Sequence, residues 1–502
     1  MKSKLAKRIL AVVLAVITVF VPLITAFAQS EGSRIYPTIY VHGFMAKDVY
    51  VNPDDPDSQT AWPPSSDSIK TTVKECLPVI GKFALNHNWD SFGKALSPVF
   101  AKLFAPICCD TNGDVSNGSG VRFEYPEKEE INAEGTYDFD YDWRLDPLII
   151  AEQLSDYIDY IIECSGSEKV NIICHSFGGV VTMSYLALYG NSKIAGVCFF
   201  ASAPYGERYN GEMMSGNIGF ESKGVVEYFK GMLSDNDYNY LISFALDILY
   251  KSGILEPICA CCNYTVEKIL PVAAAEAILP LFANWLPIWS MVPDEYLKSA
   301  KAYVFDTVYK GEDRSKILSR IDEFNEKVRS KREDILKDLN ANAHLIIISG
   351  YGLSTVPLIK NWQCNSDDTI DTTNTSFGAT VAPYDEKLSN DYLSKAKPEY
   401  ISPEQNIDAS TCQFPEQTWF IHNMKHTASN DCLDEMMMTL LRSDEQPTVN
   451  TYKQYPRFLE FSEQNDTVLP HTAEQPAMKF FQKLKLAIKD IFKLIASIFK
   501  KK

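Results

Sequence analysis

Positive charge is in short supply along this 502-residue chain: 48 Lys and Arg stand against 65 Asp and Glu, for a formal net charge of −17. A body that acidic repels polyphosphate backbones, which excludes nucleic acid as a partner. Histidine is scarcer still at seven residues, so an imidazole base has few addresses to occupy. The twelve cysteines show none of the Cys/His spacings of a zinc site, and no metal or cofactor is expected. No internal repeat is present, which excludes solenoids and propellers. A composition 46% hydrophobic and 23% charged excludes a largely disordered chain.

What is present begins at the ends. Lys2, Lys4, Lys7 and Arg8 precede an apolar stretch from Ile9 to Ala26, closed by Ala26-Phe27-Ala28. Residues 1–28 are therefore expected to be a signal peptide, cleaved after Ala28, and the mature protein to be secreted. An uncleaved anchor is the alternative, since the stretch approaches a bilayer span. Cleavage removes four positive charges and leaves −21. Export permits disulfides, whose pairing sequence does not set; Cys108-Cys109 and Cys259-Ala260-Cys261-Cys262 are two clusters that a bridge could join. At the other end, residues 479–502 place Phe481, Leu484, Ile488, Ile491/Phe492, Ile495 and Ile498/Phe499 on one helical stripe among eight lysines. A basic amphipathic helix of this kind fits the surface of an anionic membrane. The competing expectation is that its apolar face docks back on the protein.

Between these ends strands alternate with helices, the pattern of a mostly parallel sheet with crossover helices. Ile35–Val41, Tyr137–Trp143, Val170–Ile173, Ile194–Ser202, His344–Ser349 and Thr418–Ile421 read as strands. Asp146-Pro147 caps and starts a helix carrying Ile150, Leu154, Tyr157/Ile158 and Ile161 on one face. Met45 to about Gly135 reads as loops. Residues 207–343 read as a mainly helical insertion, with Trp285 and Trp289 in a proline-broken aromatic stretch expected to act as a lid over an apolar ligand. Its last helix shows Ile317, Ile321, Phe324, Val328, Ile335 and Leu339 on one face.

Cys174-His175-Ser176-Phe177-Gly178-Gly179 lies between a strand and a helix, the setting of a nucleophile elbow. The turn lifts the serine hydroxyl above the sheet, and the helix N-terminus lies beneath it. Close approach of strand and helix demands small residues two positions either side of Ser176. Gly178 complies, and Cys174 stands where glycine is usual. A serine nucleophile needs a base, an acid that orients the base, and donors for an oxyanion. In α/β-hydrolases the chain order is Ser, acid, His. Asp367, in Asn365-Ser366-Asp367-Asp368, is the expected acid, in preference to Asp466. His426, beyond the Thr418–Ile421 strand, and its neighbour His422 are the candidate bases. The amides of Phe44, after the first strand, and Phe177 are the expected oxyanion donors.

Five motifs in order resemble the lecithin:cholesterol acyltransferase and lysosomal phospholipase A2 family: Tyr141-Asp142-Trp143-Arg144-Leu145, the His-Ser-x-Gly-Gly elbow, Ala203-Pro204-Tyr205-Gly206, Tyr351-Gly352 and Asp367-Asp368-Thr369-Ile370. The resemblance covers roughly residues 35–206 and 344–430. It implies Ser176 as nucleophile, Asp367 as acid, His426 as base and a lipid ester as substrate. Three features depart from the family: Cys174, the His42-Gly43-Phe44 loop, and the surroundings of His426, which keep His422 open.

The expected fold is thus an α/β-hydrolase with a mostly parallel central sheet, a large helical cap or lid insertion and a C-terminal amphipathic helix. Its divisions are 1–28 (signal peptide), 29–206 and 344–445 (two parts of the core), 207–343 (cap), 446–478 (linking extension) and 479–502 (basic helix). The expected function is an exported serine esterase of the phospholipase or lipase type, with acyl transfer to an alcohol open to it. A non-catalytic lipid- or surface-binding protein on the same scaffold and a soluble small-ester hydrolase are the alternatives.

Overall fold

A computed structural model of the chain describes residues 35–233, 238–273, 279–472 and 484–493. Residues 1–28 lie outside them. An eight-stranded sheet runs through the centre. Its strands are β1 (Thr38–Val41), β2 (Thr136–Phe139), β3 (Val170–His175), β4 (Ile194–Phe200), β5 (His344–Tyr351), β6 (Thr418–His422), β7 (Phe458–Ser462) and β8 (Thr467–Pro470). The spatial order is β8-β7-β6-β5-β4-β3-β1-β2. Every neighbouring pair is parallel except β7–β8 at the edge. This is the expected α/β fold with a mostly parallel sheet.

Strands covered on both faces need continuous apolar runs, and β4 and β5 are buried at every position. Alternate residues feed opposite layers. Ile172, Cys174, Val197, Leu345 and Ile347 join one core, while Ile173, Cys198, Phe200, Ile346 and Ile348 join the other.

Two helices meet over residues 45–135, where loops were expected: α1 (Ser66–Asn86) and α2 (Trp89–Phe104) pack on each other. Each carries an internal proline, Pro78 and Pro98, and few buried residues, so the usual helix signals are weak there. Helix α3 (Pro147–Ser165) follows expectation, with the Asp146 carboxylate accepting the Leu148 N–H at 3.0 Å and Gly166 closing it at φ 68°. Helix α4 (Gly178–Tyr189) leaves the elbow.

The insertion is helical, including α5 (Asn239–Lys251), α6 (Leu255–Ala273), α7 (Ser315–Lys327) and α8 (Arg332–Asn342). The single charged helix expected at its end is two, broken at Val328, and Leu336 rather than Ile335 enters the core. Helix α9 (Asp431–Leu441) covers the opposite face of the sheet.

Residues 446–478 were expected to link the core to the last helix; instead they supply β7 and β8 and extend the sheet. The two cysteine clusters do not bridge, and all twelve cysteines are free thiols. Residues 484–493 form a helix, α10. Ala487 and Asp490 face the protein, while Ile488, Ile491 and Phe492 stay exposed, Phe492 at 66%. Over 484–493 the competing expectation of a docked apolar face is not met: the contact is made by the small and acidic side. None of the described helices is long and apolar enough to cross a membrane.

Candidate active site

The elbow is built by a backbone only glycine permits at its exit. A Cβ on Gly178 would stand 2.2 Å from the Val41 carbonyl oxygen, and one on Gly179 2.7 Å from Ser202 Cβ. Ser176 itself is held at φ 55°, the strained left-handed geometry of a sharp strand-to-helix turn. Ala203 and Gly179 N–H groups both donate to its carbonyl, at 2.9 and 3.0 Å. Cys174 fits because its thiol turns into the core, 3.5 Å from the Cys198 carbonyl that it donates to. Burial pushes this thiol up to about 12, so it stays protonated.

Asp367, His426 and Ser176 meet at the carboxyl ends of β3, β5 and β6. The Ser176 hydroxyl lies 2.9 Å from His426 Nε2, and His426 Nδ1 lies 2.9 Å from an Asp367 carboxylate oxygen. Asp367 is fully buried, and its other oxygen accepts the N–H groups of Thr369 and Ile370 at 3.1 and 2.7 Å. These bonds fix the orientation of the carboxylate. Burial opposes charge on His426, but Asp367 outweighs it and holds the imidazole above its ordinary value.

His426 is fixed through its backbone as well. Its N–H donates to the Asp367 carbonyl at 2.6 Å, and its own carbonyl accepts from His175 Nε2 at 2.7 Å. Burial, then the nearby His426, push His175 down to about 3, so this ring stays neutral. Ser176 is 9% exposed and His426 7%. His422 is not brought to Ser176. It turns instead to Glu460, with Nδ1 2.7 Å from the carboxylate. Asp466 is likewise remote in role, accepting the Cys432 N–H at the start of α9.

The His42-Gly43-Phe44 loop lies against the serine. A Cβ on Gly43 would fall 2.9 Å from Ser176 Cβ and 3.4 Å from its Oγ. The Phe44 and Phe177 amides donate to no backbone carbonyl among the described residues. The Tyr-Asp-Trp-Arg motif holds this loop. Tyr141 donates its hydroxyl to the His42 carbonyl, and Trp143 Nε1 donates to that of Lys47 at 3.0 Å. Arg144, fully buried, pairs with Asp142 at 2.6 and 2.9 Å and donates to the Ser119 hydroxyl at 2.7 Å.

The expected lid tryptophans are corrected: both are core residues. Trp285 donates to the Ile107 carbonyl at 3.1 Å and packs edge-on to Phe44 and Trp143, so it backs the loop beside Ser176. Trp289 stacks on Phe305, away from the site. Buried Arg329 donates to the carbonyls of Trp289, Ser290 and Val292, which locks this stretch. A recess of about 620 Å³ lined by Gly216, Phe220, Asn263, Tyr303 and Lys360 does not include Ser176.

Sequence reasoning missed two groups beside the base. His175 reads only as part of the elbow, and Glu207 follows Gly206 without distinction. Burial, with Asp371 and Asp367 nearby, pushes the Glu207 carboxyl up to about 8 despite the opposing pull of His426.

No family model and no curated protein matches the chain. Among solved structures, a chain from the crystal structure of the Tle4–Tli4 complex is similar at 12% identity, over 63% of this chain and 75% of that one, with a TM-score of 0.25. A likeness at that level says nothing about substrate or site, and the fold stands on the strand order above.

Proposed function

We propose that the chain is an exported serine hydrolase acting on lipid esters. The observation that carries the reading is the continuous hydrogen-bonded line from a buried, doubly braced Asp367 through His426 to the Ser176 hydroxyl. In this reading His426 Nε2 takes the hydroxyl proton as Ser176 Oγ attacks the ester carbonyl. Asp367 holds the Nδ1–H tautomer and stabilises the imidazolium. The amides of Phe44 and Phe177 receive the oxyanion. Collapse expels the alcohol, which leaves with the proton from His426, and an acyl-serine remains. Water or a second alcohol, deprotonated by His426, then releases the acyl group. Enclosure of Ser176 shields that intermediate from bulk water.

A lipid substrate is supported by apolar surface that a small-ester hydrolase does not need. Ile69, Val73, Leu77 and Ile80 form an exposed stripe along α1, and α10 exposes Ile488, Ile491 and Phe492 among lysines. Residues 479–502 carry a net +7, against about −28 on the rest of the mature chain. That contrast suits attachment to an anionic membrane. The N-terminal charge and cleavage pattern support export.

Labelling with an alkyl fluorophosphonate tests the chemistry. Wild type is expected to label at one site and Ser176→Ala not at all, with phospholipid turnover falling by at least about three orders of magnitude. Equal labelling of both proteins refutes the reading, and a non-catalytic lipid-binding scaffold would then take its place.

A further inference from the structure

Two histidines and two glutamates from distant parts of the chain converge beside the carboxyl end of β6. The strand register sets Tyr351, His422 and Glu460 side by side across β5, β6 and β7. His471 follows β8, and Glu404 arrives from the turn before residues 407–408. One oxygen of Glu460 faces both imidazoles, 2.7 Å from His422 Nδ1 and 3.0 Å from His471 Nδ1. A carboxylate only accepts, so each ring is assigned its proton on Nδ1. The other Glu460 oxygen accepts from Asn423 Nδ2 at 2.9 Å.

The rings lie nearly parallel, 20° apart with centroids at 4.9 Å, and with both Nδ1 atoms turned to Glu460 the ligand atom of each is Nε2, that of His471 donating to Glu404 until an ion takes the place of its proton. His471 Nε2 faces Glu404, whose second oxygen accepts the Tyr351 hydroxyl at 3.1 Å. One donor atom from each of Glu404, His422 and His471 falls within 4.8 Å of the other two. Only glycine at 352 leaves His422 Nε2 open, since a Cβ there would stand 2.6 Å from it. A carboxylate that holds Nδ1–H and aims Nε2 is how proteins orient metal-binding histidines.

We propose that Glu404, His422 and His471 bind a divalent transition metal ion, with zinc the best fit, and that Glu460 orients both histidines. Two imidazole nitrogens and one carboxylate make a three-ligand zinc site whose fourth position takes water. His422, with its side chain 21% exposed, leaves an opening for that water. Glu404 draws back from His471 as the ion enters between them. The ion would tie together the Glu404 turn, β6 and the chain after β8. His422 stands four residues before His426, so the clamp anchors the start of the loop that carries the base. No step of ester cleavage passes through it, and the site stands whether or not Ser176 attacks an ester.

The test uses the full mature chain stripped with EDTA. Calorimetric titration with ZnCl2 is expected to show one ion per chain, and CoCl2 the visible bands of a low-coordinate site. Glu460→Gln should weaken zinc about 10- to 100-fold, and His471→Ala should abolish the stoichiometric event. Zinc should raise the Tm of wild type but not of His471→Ala. Should His471→Ala not fold, Glu404→Gln removes a ligand oxygen at constant size and should weaken zinc likewise. Absence of stoichiometric zinc uptake by wild type overturns the proposal. So does uptake that survives the ligand substitutions undiminished; the four residues are then an ion-pair network alone.

Discussion

Cys174 and Gly178 flank Ser176 symmetrically in sequence and not at all symmetrically in space. The Cys174 side chain occupies its own niche beside Cys198 and Ser202, whereas any side chain at 178 would enter the Val41 carbonyl. Cys174→Gly is therefore expected to keep fluorophosphonate labelling and to lose about 1–2 kcal/mol of stability from the vacated space and the freer backbone. Gly178→Ala should cost about 3 kcal/mol or more and abolish labelling, because the helix must move off the strand. Thermal unfolding and labelling of the two variants check the contrast. His426 gives a pH test with a definite sign. In the proposed reaction its neutral form is the base, and Asp367 holds its pKa above the ordinary 6.5 or so. Activity should therefore fall as pH drops through a midpoint above that value. Asp367→Asn removes the charge that stabilises the imidazolium, so the midpoint should move down, while kcat drops by about 10⁴. A kcat/KM–pH profile of both proteins reads the shift.

Elements here are fixed by side chains from elsewhere in the chain more often than by their own ends. The loop after β1, which carries Phe44, is held by Tyr141 and Trp143 from the segment after β2. Arg144 completes that brace from a wholly buried position, paired with Asp142 and Ser119. Arg144→Met leaves the Asp142 carboxylate buried without its partner and should destabilise by about 3–5 kcal/mol, measured by urea unfolding. At the start of helix α5 the side chain at the cap position, Tyr238, makes no capping bond. Asp490 of α10 accepts its Leu241 N–H at 3.2 Å, so an acidic residue in a basic helix caps the first turn of another helix. The same contact explains why α10 docks through Ala487 and Asp490 and leaves its apolar side outward.

Across the molecule the two signs of charge are separated. The body is acidic, while residues 479–502 are basic and expose apolar side chains where described. Removing residues 479–502 should lower binding to anionic liposomes several-fold and leave turnover of a soluble short-chain ester within about twofold, since the described part of the segment, 484–493, bonds to α5 and not to Ser176, Asp367 or His426. Sedimentation with phosphatidylserine vesicles and a chromogenic ester assay separate the two effects. Unchanged sedimentation would assign membrane contact, if any, to the α1 stripe.

Six strands and the elbow were legible because each is a local pattern: a buried β-branched run, or small residues forced by a close approach. The order of Ser176, Asp367 and His426 along the chain was legible for the same reason, since each follows a readable strand. The helices at 66–104 were hidden by prolines and a polar face, while β7 (Phe-Leu-Glu-Phe-Ser) has no β-branched residue and β8 ends in proline, so neither shows a strand pattern. The distances between Ser176, His426 and Asp367 belong to another order of information. A chain pattern names residues at strand ends, but separations of 59 and 250 positions close to 2.9 Å only when β3, β5 and β6 pack in register. That packing also separated His426 from His422, which lie four residues apart and face different carboxylates. It turned the expected lid tryptophans inward and gathered Glu404, His422, Glu460 and His471, which share no spacing at all. Local propensity and burial are properties of neighbours along the chain, whereas a proton path or a ligand cluster depends on which strand ends the sheet sets side by side.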